Sequence, residues 1–140
     1  MSKTDYAQPA TPLAEALLAD LFAMGGVGYA ALGAGQEVLM RTAPGLKTAT
    51  TTDSNFYEEL IVNPTLLKLA SQRGELDCGG VSYIAIGYGE FTQLIMLTKD
   101  GHVSLGVPRD APVREIAGRV AGVLERHNLA NELCAAKLLA

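Results

Sequence analysis

Hydrophobic residues change their spacing along this chain in a readable way. Leu13, Leu17, Leu18 and Leu21 fall three and four apart, with Glu15 and Asp20 off the stripe, which predicts an amphipathic helix. Thr11 ahead of Pro12 supplies an N-cap and a first-turn proline, and Gly25-Gly26 supplies the stop. The spacing then shortens. Val27 to Gly33 is a strand of small residues, Ala34-Gly35 a turn, and Gln36 to Thr42 a returning strand. Small side chains on the first strand suggest a helix packed closely above it. Ala43 to Asp53 reads as a loop with Pro-Gly and a threonine run. Helical spacing resumes from Asn55 to Gly74, with Asn55 as cap, Glu58 three positions beyond it, and Gly74 as the close. Asn63-Pro64 falls inside that stretch, so a break, a kink or a second capped start is expected there.

From Asp77 to Val107 the pattern is that of a meander. Val81 to Gly87, Phe91 to Thr98 and Val103 to Val107 are rich in β-branched and aromatic residues, with Gly and Asp between them. Asp100-Gly101 between apolar runs is a hairpin signal and predicts a type I′ turn. Asp110 then caps a long helix whose stripe is Val113, Ile116, Ala117, Val120 and Leu124, ended near Asn128.

The order is helix, two strands, helix, three strands, helix. Val81, Tyr83 and Ala85 alternate with Ser82, Ile84 and Ile86, and Phe91, Gln93, Ile95 and Leu97 with Thr92, Leu94 and Met96. Both sets are largely apolar, so the sheet must be covered on both faces. The terminal helices are expected on one face and the middle helix on the other. The fold class is therefore α+β, a three-layer α/β/α sandwich around a five-stranded antiparallel sheet. Residues 1–10 are expected to be a flexible tail, 11–128 one domain, and 129–140 a short helical tail.

Composition adds one fact. The chain is 49% apolar and only 19% charged, more apolar than a domain of 140 residues needs for its own core. No run approaches the ~20 apolar residues of a membrane span, so the excess points to a subunit interface. The middle helix carries surplus apolar residues at Phe56, Tyr57, Leu60, Ile61 and Leu67. Those five residues are a candidate partner surface. The net charge of −4 opposes binding to a phosphate backbone, so no nucleic acid partner is expected. No signal peptide is visible, and a cytoplasmic location is expected.

Candidate chemistry is sparse. Gly26, Gly28, Gly33 and Gly35 flank a strand rather than joining strand to helix, so they make turns and not a nucleotide loop. Cys78 and Cys134 lack redox or zinc spacing, and Cys78 is expected to be buried. His102 and His127 stand apart without spaced carboxylates. Neither cofactor, metal nor catalytic residue is expected. The threonines from Thr48 to Thr52 read as a plain loop, with anion binding as the alternative.

The glycine-ended first helix running into Val27-Gly28-Tyr29-Ala30-Ala31-Leu32, the helix between strands two and three, the meander with Lys99-Asp100-Gly101 and the amphipathic last helix resemble the roadblock / dynein light chain family. The resemblance spans roughly Leu13 to Leu129. It implies a non-enzymatic regulatory or scaffold protein that dimerises with itself, or with a sister roadblock subunit, through the middle helix and third strand. Ser82, Ile84 and Ile86 on that strand, as an open edge, then join the five middle-helix residues as the expected dimer or partner surface. It also implies regulation of a small Ras-like GTPase. A small-molecule sensor with a similar layered layout is the alternative.

Overall fold

The computed structural model describes residues 11–43 and 52–131, with side chains from 54 onward in the second stretch. Helix α1 runs Pro12–Ala23. Thr11 caps it, its Oγ1 accepting from the Ala14 N–H at 3.1 Å, and Gly25 and Gly26 end it at φ of 81° and 74°. Strands β1 (Tyr29–Ala34) and β2 (Glu37–Thr42) form a hairpin. The middle helix follows as one continuous helical run: α2 (Thr52–Tyr57), a π-helical turn (Glu58–Val62) and α3 (Asn63–Asp77). Strands β3 (Ile84–Gly87), β4 (Thr92–Leu97) and β5 (His102–Val107) form the meander, and α4 is Val113–Arg126. The five strands are antiparallel in the order β2-β1-β5-β4-β3.

Period-two alternation divides the sheet's residues between two layers. Ala30, Leu39, Leu94, Met96, Val103, Leu105 and Val107 form one core with Leu17, Leu18 and Leu21 of α1 and Ala117, Val120, Ala121, Val123 and Leu124 of α4. The two terminal helices are also pinned together where His127 Nε2 meets Asp20 Oδ2 at 2.6 Å. The middle helix covers the opposite face. The α+β three-layer sandwich therefore stands as the pattern predicts.

Several local details differ. Leu13 is 75% exposed and lies outside the α1 stripe. Asn55 sits inside α2 and is no cap. Asn63-Pro64 does not break the middle helix. Pro64 lacks an N–H and its ring crowds the carbonyl four residues back. The π turn just before it absorbs the misfit, with the Asn63 N–H reaching five residues back to the Glu58 carbonyl. The helix also passes Gly74 and ends at Asp77. A Cβ at Gly74 would press on the Gly80 backbone at 3.1 Å, so this glycine serves packing. Strand β3 begins at Ile84, which leaves Ser82 in the approach to it. Asp110 lies before α4, whose N-cap is Pro112, and has no capping hydrogen bond. Asn128, at φ 58°, follows the helix end as expected.

The β4–β5 turn is not type I′, because neither Asp100 nor Gly101 has positive φ. It is a four-residue connection closed by the Thr98 N–H on the Gly101 carbonyl at 2.9 Å, with the Gly101 N–H on Thr98 Oγ1 at 3.0 Å. Gly101 is required for another reason: a Cβ there would overlap the Gly33 carbonyl oxygen and crowd Ala34 Cα. Backbone cannot step aside as a side chain can. Gly101→Ala is expected to destabilise the fold by about 1–3 kcal/mol or more, as overpacking does, read from the urea midpoint. The segment 129–131 continues along this turn as an extended bridge, Thr98 pairing with Ala130 and the Lys99 N–H donating to the Leu129 carbonyl at 2.8 Å. Residues 1–10, Thr48–Thr51, Cys134 and the tail from 132 onward lie outside the described residues.

Candidate functional site

The face of the sheet under the middle helix is not wholly apolar. Tyr29 on β1, Gln93 on β4, and His102 and Ser104 on β5 point toward the helix and surround one carboxylate, Glu59, which is 1% exposed. Tyr29 O–H donates to Glu59 Oε2 at 2.7 Å and Ser104 O–H at 2.5 Å, with Gln93 Nε2 at 3.5 Å. His102 Nε2 lies 2.8 Å from Oε1, and Asn63 Nδ2 donates to the same oxygen at 3.0 Å. A carboxylate only accepts, so Nε2 carries the proton of the His102 contact. Burial, then the charge and hydrogen bond of Glu59, push the Tyr29 phenol far above its ordinary value, and it stays a donor.

Two local features make the cluster possible. The π turn carries Glu59 and sets Asn63 one turn later on the same side. Gly33 stands opposite His102 in the β1–β5 register, and a Cβ at Gly33 would collide with the imidazole. The small-residue character of β1 thus leaves room for this ring. The cluster ties the helix to three central strands through groups that cannot be left unpaired cheaply.

Beside it, Glu58 receives the Tyr88 hydroxyl at 2.9 Å and 3.1 Å to its two oxygens. This links the helix to the β3–β4 turn. Burial holds the Glu58 carboxyl above its ordinary value, the Tyr88 hydrogen bond opposes that, and Glu59 adds to it. Burial and Glu58 push the Tyr88 phenol up to about 12. An acid whose pKa is raised on folding holds its proton more tightly in the native state. Its contribution is present below the ordinary value of 4.5 and is lost as pH rises through the raised one. Glu58→Gln is therefore expected to gain stability relative to the parent as pH rises from below 4.5 to neutral, measured as the difference in urea midpoints at the two ends of that range.

The outer surface of the middle helix is the second feature. Tyr57 (61% exposed), Ile61 (46%), Leu66 (36%), Leu69 (59%) and Leu76 (78%) are large apolar side chains open to solvent. Leu66, Leu69 and Leu76 share one side of α3 by helical spacing. Phe56 and Leu60 are half-buried, whereas Leu67 is 2% exposed and belongs to the core between helix and sheet. Ile84 and Ile86 are half-buried on β3, which forms the open edge of the sheet, and Ser82 is half-buried in the loop before it. Cys78 is exposed rather than buried. It follows α3 at the surface, its Sγ donating to Asp77 Oδ1 at 3.2 Å, because the helix runs past the expected glycine stop. Asp77 is held below its ordinary value first by Arg73 and then by Cys78.

Among the described residues no three metal-ligating side chains gather, and no helix is long and apolar enough to cross a membrane. The Glu59 cluster was missed from sequence. Its signal was present as Gln93, His102 and Ser104, polar residues within otherwise apolar strands.

The sandwich, its sheet order and the exposed middle helix define the roadblock fold. In solved structures the chain is similar to the gliding protein MglB from Thermus thermophilus, at 16% identity with a TM-score of 0.61, over 87% of this chain and 94% of that one. It is also similar to MglB in a tetrameric arrangement, at 14% identity with a TM-score of 0.52, over 87% of this chain and 96% of that one. No family model and no curated protein matches the sequence.

Proposed function

We propose that this protein is a non-enzymatic, homodimeric adaptor that regulates a small Ras-like GTPase. The observation that carries the reading is the apolar outer side of the middle helix, next to the unpaired edge of β3. Five large apolar side chains are exposed on that one helix, and a second copy laid against it would cover them. From Thr52 to Asp77 the helix is about 39 Å long at 1.5 Å per residue. A strip that long, with β3 beside it, approaches the ~800 Å² per partner of a stable interface. Phe56, Tyr57, Leu60, Ile61, Ile84 and Ile86, with Ser82 at the margin, form the proposed surface. Leu66, Leu69 and Leu76 extend it, and Leu67 is left to the core. The likeness to MglB, one structure of which is described as tetrameric, supports self-association as the mode of action.

The GTPase half of the proposal rests on the fold likeness and needs its own test. The full chain is titrated with small Ras-like GTPases from its own cell, loaded with GDP or with a non-hydrolysable GTP analogue. The expected result is binding to one of them that differs at least about tenfold between nucleotide states, about 1.4 kcal/mol. Weak binding indifferent to nucleotide across the set dismisses GTPase regulation and leaves the dimer question standing.

A further inference from the structure

The middle helix has a third side. Between α3, the β1–β2 turn and the β4–β5 turn lies a cleft of about 450 Å³, within the range of small-molecule sites. Its apolar lining comes from Pro64, Leu67 and Leu97, with Gly33, Gly35 and Gly101 at the two turns. Five polar residues line it: Lys68, Ser71, Gln72, Glu75 and His102. Ser71 Oγ is shielded from solvent and has no hydrogen-bond partner. Lys68, one turn earlier on the same side of α3, has no carboxylate partner among the described residues. His102, a residue 5% exposed, lines the cleft with its Nε2 held on Glu59.

We propose that this cleft binds a small amphipathic acid, a molecule with an apolar chain of about ten carbons ending in a carboxylate. A buried hydroxyl without a partner is unfavourable, and a side-chain rotation that turns Ser71 Oγ into the cleft lets a carboxylate there supply the missing acceptor. The Lys68 ammonium pairs with the same group. Glu75, also in the lining, lies two turns further along α3, about 10 Å from Lys68 along the axis. The cleft is thus cationic at Lys68 and anionic at Glu75 with Ser71 between them, so a carboxylate is drawn to the Lys68 side of Ser71, which fixes the polarity of the bound chain. The alkyl part lies over Leu67 and Leu97. The site does not rest on the dimer reading, because by helical spacing Lys68, Ser71 and Glu75 face away from Leu66, Leu69 and Leu76.

The test uses the full chain and decanoate, below its micelle concentration, followed by amide and imidazole NMR. The chain has two histidines. His102 lines the cleft, and His127 sits in the opposite layer against Asp20, so one reports and the other controls. Saturable binding with Kd below about 1 mM is expected, moving His102 and the amides of Gly33, Ser71 and Gly101 while His127 stays fixed. Lys68→Glu, at an exposed position, is expected to weaken decanoate by about tenfold or more and decanol by less than about twofold. Ser71→Ala is expected to weaken decanoate by about fivefold. Shifts confined to the Leu66–Leu69 side, absence of saturation, or equal losses for decanoate and decanol in Lys68→Glu would each overturn the assignment. Sedimentation of the same samples reports the dimer separately.

Discussion

Glu59→Ala is expected to destabilise the protein by about 3–5 kcal/mol, the cost of leaving several buried donors without their shared acceptor and a void where the side chain was. Total stability of a domain is about 5–15 kcal/mol, so the loss is a large fraction of it. The cause is a surplus of donors around one acceptor. Tyr29, Asn63, Gln93, His102 and Ser104 all direct a polar group at one side chain that is 1% exposed. Alanine leaves them without an acceptor and opens a void between helix and sheet. Two milder variants keep the result readable should alanine fail to fold. Glu59→Gln keeps the shape but turns one acceptor into a donor facing other donors, and about 1–3 kcal/mol is expected. Tyr29→Phe removes a single donor, and about 1 kcal/mol is expected. Urea midpoints at constant m-value are the measurement. A Glu59→Ala protein within about 1 kcal/mol of the parent would show that the cluster does not hold the helix.

The second large effect is on assembly. Ile61→Asp combined with Leu69→Asp is expected to raise the dimer dissociation constant by at least about a hundredfold. Each apolar side chain buried in an interface contributes about 1.5–3 kcal/mol, and a carboxylate in its place must be desolvated or excluded. Both positions are open to solvent in the subunit, at 46% and 59%. The variant subunit should therefore keep its far-ultraviolet dichroism and its urea midpoint when compared as a monomer. A loss of folding in step with dissociation would point instead to a structural role for these side chains. Leu67→Asp makes the contrast: it lies in the core and should unfold the subunit rather than separate subunits.

The element order and the two-faced sheet were legible because they rest on short-range patterns. Helical spacing marks α1 and α4, and apolar runs between Gly and Asp mark β4 and β5. The α1 cap at Thr11 and the stop at Gly25-Gly26 follow from residue chemistry alone. The Glu59 cluster was not legible in the same way. Its members on the strands lie 30 to 45 residues from Glu59, and only the order β1-β5-β4 brings them side by side. Each alone reads as an isolated polar residue. Pro64 misled for a related reason. Its local effect on an α-helix is to break it, whereas a π turn accommodates it and turns Glu59 toward the sheet. Cys78 misled because its burial was inferred from residue type, while its exposure depends on where α3 ends.

The central claim is that the outward side of the middle helix is an assembly surface for a second copy. Sedimentation equilibrium of the unmodified full chain between about 1 and 100 µM tests it most directly. The account predicts a particle of twice the 14.7 kDa chain mass through most of that range, shifted to the single-chain mass by Ile61→Asp with Leu69→Asp. A single-chain mass at every concentration, or a dimer indifferent to those substitutions, would contradict it.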